Sequence, residues 1–159
     1  MTTKKFNWKK YIDEALRATD YCSIATVDKK GVWSSPVYFA WNKKYNLYFI
    51  SQMPSRHMQN IKSDGRIAVS IYKTEQKDNV IGIQLEGVAK ILSENDGKEA
   101  IQHAYETYYG RAGHGPDVQG YINNPTWLYV KITPSQIYYF DTRFFGEKRQ
   151  EVPLQELIK

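Results

Sequence analysis

Residues 37–41 (VYFAW) and 47–50 (LYFI) are apolar on both faces of the strands they would form. Successive side chains of a strand alternate between its two faces. One apolar face can fill a barrel interior. The other then needs a covering helix or a second copy of the chain, because large exposed apolar patches are unusual in monomers. A homodimer is therefore an expectation of the pattern itself. Roughly seven strand-like runs with few helices point to a mainly β chain, an antiparallel barrel with added peripheral helices. At 159 residues the expectation is a single domain, 1–159, with a real hydrophobic core.

Trp8, Ile12, Ala15, Leu16 and Thr19 recur at helical spacing, which predicts a helix over 8–19. Strands are predicted at 21–27 and 32–41, with a hairpin turn at 28–31. Pro36 cannot donate to a ladder, so its strand should lie at an edge or carry a bulge. A third strand, 46–51, leads into a short helix over 55–63. Strands 66–72 and 80–92 follow, then a helix over 94–109. Residues 110–126 read as a glycine- and proline-containing loop, and a loop that long is usually functional. Two further strands, 127–133 and 136–141, are separated by Pro134-Ser135.

The net charge of +5 suits an anionic small molecule and does not demand nucleic acid. No basic stripe interleaved with aromatics is present, so no nucleic-acid partner is expected. No apolar run reaches the roughly 20 residues that span a bilayer, so no membrane partner is expected. The N-terminal region has lysines but no apolar core of a signal segment, and a cytoplasmic location is the default. One cysteine, Cys22, excludes an intramolecular disulfide and reads as a buried structural thiol. His57, His103 and His114 lack metal-ligand spacing, and no metal site is expected.

The stretch 46–72 carries the chemistry. A helix that opens at Ser55-Arg56 after a strand offers unpaired backbone N–H groups and a dipole that favours an anion. Ser55 is a candidate N-cap and hydroxyl donor. Arg56 supplies a planar fork suited to phosphate oxygens. The pattern indicates a phosphorylated small molecule, although an ordinary capped surface helix has the same spacing. Gln84 lies mid-strand, and its amide both donates and accepts, as the edge of a heterocycle requires. A polar residue on a solvated strand face fits Gln84 equally well.

Several segments together resemble the pyridoxamine 5′-phosphate oxidase-like family of FMN-binding split barrels. They are CSIATVD (22–28), SPVYF (35–39), LYFIS (47–51), SRHMQN (55–60), GRIAVS (65–70) and IQLEGVA (83–89). The resemblance implies an antiparallel split β-barrel and a homodimer holding two FMN molecules at the ends of the subunit interface. It implies that Pro36, Val37 and Tyr38 present backbone to the isoalloxazine ring, and that Ser51, Ser55 and Arg56 hold the phosphate. It places Gln84 against the ring or ribityl chain. His57 stands where the family often has a basic residue, which implies weaker or pH-dependent FMN affinity. Tyr139, Phe140, Arg143 and Phe144 are the candidates contributed from the partner subunit.

The chain has no histidine after His114, so it lacks the C-terminal Arg-x-His pair of true pyridoxamine phosphate oxidases. Vitamin B6 oxidation is therefore not the expected activity. The expectation is a flavin-dependent oxidoreductase that takes hydride from NAD(P)H or a similar donor and acts on a small-molecule substrate. The alternative is a non-enzymatic store or sensor binding flavin, deazaflavin or haem.

Overall fold

Helix α1 (Trp8–Arg17) is capped by Asn7, whose side chain accepts from the Lys10 N–H at 3.1 Å. Its buried residues are Ile12, Ala15 and Leu16, the apolar face read from the sequence. Burial of Ile12 and Leu16 contributes about 2 kcal/mol each. The computed structural model describes residues 5–75, 79–113 and 126–158. After α1 come β1 (Tyr21–Asp28), β2 (Gly31–Tyr38), β3 (Ala40–Trp41), β4 (Leu47–Gln52) and α2 (Arg56–Ser63). Strands β5 (Arg66–Glu75) and β6 (Asn79–Ile91) lead through a 3-10 turn, Glu94–Asp96, to α3 (Lys98–Ala112). The chain continues with β7 (Trp127–Asp141), α4 (Thr142–Phe145), β8 (Gln150–Glu151) and α5 (Leu154–Leu157).

The pairing is antiparallel throughout, in the order β2-β1-β5-β6-β7-β4-β3, with β8 added against β7. Strands β2 and β3 lie at opposite ends of that order, yet only Phe39 separates them in sequence. The sheet must therefore curl until its two edges approach, and the result is a split barrel. Its interior is filled by one face of the sheet together with α1 and α2: Leu16, Ile24, Met58, Ile83, Ile137 and Tyr139 belong to a single core. Pro36 sits on the edge strand β2, where its missing N–H costs no ladder bond.

Helix α3 covers part of the outer surface. Its Ala104, Tyr105 and Tyr108 pack on Tyr48 of β4 and Tyr129 of β7. The second apolar face of β4 thus finds a helix within the chain. The other outer surface, over β2, β1, β5 and β6, leaves Tyr21, Val32, Tyr72 and Val88 more than half exposed.

Three expected elements differ. The run expected as one strand over 32–41 breaks at Phe39, because the two halves pair with different strands as the barrel closes. The two strands expected around Pro134-Ser135 are one strand, β7. Pro134 faces Gly87 at a bulge in the β6–β7 ladder, which accommodates it without ending the strand. The helix expected over 94–109 starts at Lys98, after Gly97 at φ +86°. It runs through Gly110 to Ala112 and ends at Gly113 in the left-handed region. The rest of the expected 110–126 loop, His114 included, falls on residues 114–125 and lies outside the described residues. No helix among the described residues is long and apolar enough to cross a membrane.

Candidate functional site

The sequence Ser51–His57 folds into a cradle at the start of α2. Ser51 lies one residue before the end of β4, and the chain turns back so that Ser55 and His57 face it. Ser51 Oγ lies 2.7 Å from His57 Nε2, Ser55 Oγ lies 3.2 Å from the same nitrogen, and the two hydroxyls are 3.4 Å apart. Ser55 Oγ donates its proton to the Gln52 carbonyl at 2.9 Å. Toward His57 that oxygen can then only accept, which sets the imidazole proton on Nε2. Ser51 keeps a hydroxyl proton it can turn toward an anionic oxygen.

Ser55 occupies the N-cap position of α2 but makes no capping hydrogen bond with its side chain. The first-turn N–H groups therefore lack the usual side-chain acceptor and remain suited to an external one. The Ser51 hydroxyl and the uncapped helix end make a donor set that fits a phosphate monoester, with Ser55 and His57 holding Ser51 in place.

Arg56 lies beside this cradle, held to Asp28. Its Nε and Nη2 donate to the two carboxylate oxygens at 2.8 and 3.0 Å, and its guanidinium stands 4.7 Å from the centre of the Trp33 ring. The hydrogen bond from Arg56 holds the Asp28 carboxyl below the usual range. Buried Asn60 supports the pair. Its amide nitrogen faces the Arg56 carbonyl at 3.0 Å and Asp28 Oδ2 at 3.2 Å, and its oxygen accepts from Thr26 at 3.0 Å. An anion at the cradle would thus share Arg56 with Asp28.

His57 is half-buried, and that burial holds its imidazole below the ordinary value of 6.5. The unfolded chain takes up a proton there more readily than the folded one. Stability from this residue is therefore complete above the unfolded value of 6.5 and falls as the pH drops toward the lower folded value. His57→Gln should flatten the melting temperature against pH between about pH 5 and 7. Parallel curves for variant and wild type would show that His57 ionises freely in the fold.

Gln84 of β6 lies elsewhere. It pairs with Ser70 on one side and Tyr138 on the other, and Ser70 pairs in turn with Ser23, which faces Pro36. Pro36, Ser23, Ser70, Gln84 and Tyr138 thus form one rung on the outer face. Arg149 Nε donates to Gln84 Oε1 at 2.5 Å, with its guanidinium 5.5 Å from the Phe140 ring centre. That bond turns the Gln84 NH2 away from Arg149 as a free donor. From Asp28 to Ser23 is five residues of β1, and two strand spacings separate Ser23 from Gln84. These steps put Gln84 roughly 20 Å from Arg56 in the same chain.

The remaining sequence candidates are dispersed. Val37 points into the core, while Tyr38 packs edge-on against Tyr21 and Tyr108. Phe140 is half-buried beside Gly82. Arg143 forks onto fully buried Asp141 at 2.9 and 2.7 Å. Tyr139 faces inward, with its hydroxyl donated to Asp141 at 2.7 Å. Phe144 is exposed and packs with Phe6 and Tyr11. Cys22 is buried among apolar groups, which pushes its thiol up to about 12 and keeps it inert.

Sequence reasoning missed Asp28, Asn60 and Arg149. Asn60 carried a signal: it is a polar residue between Met58 and Ile61 on the buried side of α2.

A family model described as pyridoxamine 5′-phosphate oxidase matches residues 9–141. This chain belongs to the pyridoxamine 5′-phosphate oxidase family. Among solved structures it is similar to a haem-binding protein from Mycobacterium smegmatis, with 14% identity and a TM-score of 0.73 over 98% of this chain and 62% of that one. It is also similar to HutZ, a haem storage protein from Vibrio cholerae, with 16% identity and a TM-score of 0.67 over 83% and 94% of the two chains. An FAD-binding protein from Mesorhizobium loti matches with 17% identity and a TM-score of 0.59 over 79% and 86%. At these identities the likeness concerns the fold. The chain spans about three fifths of the length of the Mycobacterium smegmatis protein. No curated protein matches the chain.

Proposed function

We propose that this family member binds FMN as a homodimer and works as a flavin-dependent oxidoreductase, with NAD(P)H or a similar hydride donor and a small-molecule substrate. The observation that carries the reading is the uncapped start of α2 ringed by Ser51, Ser55 and His57. In this reading the Ser51 hydroxyl and the first-turn N–H groups of α2 take the phosphate, and the Arg56 fork adds charge from its flank. Gln84, turned outward by Arg149, presents its NH2 to an acceptor on the ring edge. Bound flavin supplies the hydride chemistry, and the protein supplies binding, orientation and electrostatics.

The separation of Gln84 from Arg56 supports the dimer. In this reading a flavin takes its phosphate contacts from one copy and its ring contact from the other. The exposed outer face with Tyr21, Val32, Tyr72 and Val88 is the surface available for that pairing.

Flavin is favoured over haem by the described histidines. Histidine is a common axial ligand of haem iron, and the Nε2 atoms of both described histidines already have partners, His57 with Ser51 and Ser55, and His103 with the Asn42 amide at 3.1 Å.

Titration of FMN into the full-length chain, followed by quenching of its fluorescence, tests the reading. The expected result is saturable quenching at one FMN per subunit, with NAD(P)H oxidation dependent on added FMN. Unchanged FMN fluorescence, together with a Soret band on addition of haem, would overturn the flavin assignment in favour of haem.

A further inference from the structure

The end of β4 remote from Ser51 borders a second feature, on the opposite face of the strand. Tyr48 and Ser51 are three residues apart, so their side chains leave β4 on different sides. The turn between β3 and β4, the outer surface of β4 and β7 and the last turns of α3 enclose a cleft of about 760 Å³. Lys43, Lys44, Lys131 and Arg111 line it, and no Asp or Glu among the described residues does. Among the described residues none of these three lysines has an ion-pair partner.

Lys131 is the least comfortable of the three. It is half-buried on β7, directly across from Lys90 of β6. Like charges opposed in an antiparallel pair repel. Asp96 is engaged by Lys90, which leaves Lys131 uncompensated.

The turn that carries Lys43 and Lys44 is held rigidly. Asn42 Oδ1 accepts the N–H groups of Lys44 at 2.9 Å and Asn46 at 3.1 Å. Its Nδ2 reaches the Tyr48 hydroxyl at 3.2 Å and His103 Nε2 at 3.1 Å. Tyr45 in the same turn has φ +59° and is the only described residue other than glycine with a positive φ. Burial of the ring and a 3.0 Å hydrogen bond to Asp13 hold it there. Strained backbone kept in place by its surroundings is a mark of functional turns. Arg111 forms part of the wall. Its guanidinium donates to the carbonyls of Phe39, Leu16 and Thr19 and stands 4.5 Å from the Trp41 ring centre. Its hydrogen bonds are already made and Asp20 Oδ1 lies 3.6 Å from Nη2, so it shapes the wall and leaves the ligand to the lysines.

We propose that this cleft binds a small polyanion, a phosphorylated or multiply carboxylated metabolite, through Lys43, Lys44 and Lys131. Such a ligand supplies the anionic partner that Lys131 lacks and meets lysines carried by two separate elements. The site is independent of the flavin reading, since it shares no residue with the Ser51 cradle.

Calorimetric titration at low ionic strength tests it, with inorganic pyrophosphate and citrate as probes on the full-length chain. Lys44→Gln combined with Lys131→Gln should weaken binding of the effective probe at least tenfold and leave FMN quenching at the wild-type level. Lys131→Gln alone should raise the melting temperature in probe-free buffer, which also shows that the variant folds. Binding of pyrophosphate alone identifies a phosphate-bearing ligand, and binding of citrate alone identifies a carboxylate one. Absence of heat with both probes, or affinity unchanged in the double variant, would overturn the proposal.

Discussion

Gly87→Ala is expected to destabilise the fold by about 3 kcal/mol, the upper part of the range for forced overpacking. For a chain of this length that lowers the melting temperature by about 10 °C. A Cβ at Gly87 would meet the Thr133 carbonyl oxygen at 2.2 Å and Pro134 Cα at 2.9 Å. Both are backbone atoms of β7, and neither can rotate away. The bulge in the β6–β7 ladder lies at this point, so relief of the clash would require a shift of the central pair of strands. Gly110→Ala is the internal comparison. Gly110 lies inside α3 at ordinary helical φ, and nothing among the described residues stands within 4 Å of its missing Cβ. There the same change should stabilise by roughly 0.5–1 kcal/mol. Thermal unfolding of the two variants measures both. A Gly87→Ala variant that melts with the wild type would mean that the ladder at Pro134 yields freely.

The same bulge explains where the sequence was legible. Alternating apolar positions and doubly apolar runs sufficed for a β-rich antiparallel barrel, because burial on a two-residue period follows directly from strand geometry, while the split of that barrel was implied only by the family resemblance. Pro134-Ser135 looked like a turn because proline usually ends a ladder. Its tolerance depends on Gly87, 47 positions away, and on the Ser135 hydroxyl bonded to the Glu86 carbonyl. The break at Phe39 was equally hidden. Every residue there is apolar, and only the meeting of the sheet's two edges decides where one strand ends and the next begins. The cradle at Ser51, Ser55 and His57 was legible because its members lie within seven residues of one another. The capture of Arg56 by Asp28 and the orientation of Gln84 by Arg149 join residues 28 and 65 positions apart. Nothing local announces such partners, so the donors could be named and their commitments could not.

Ser55→Asp should separate stability from binding, moving the two in opposite directions. An aspartate at the N-cap accepts from the first-turn N–H groups and places negative charge at the positive end of the helix dipole. That combination should stabilise α2 by about 0.5–1 kcal/mol, although the bond from Ser55 to the Gln52 carbonyl is lost. The new carboxylate fills the acceptor position that the open helix start offers an external phosphate. Two like charges 4 Å apart near a protein surface repel by about 4 kcal/mol, less in salt. FMN affinity should therefore fall by roughly a hundredfold or more. Quenching titrations and thermal melts on the same preparation read both effects. A variant that melts at or above the wild-type temperature and no longer quenches FMN identifies the start of α2 as the phosphate site. Unfolding cannot mimic that outcome, because lost binding would then accompany lost stability. Undiminished FMN binding in a stabilised variant would move the phosphate away from Ser55 and remove the observation on which the flavin assignment rests.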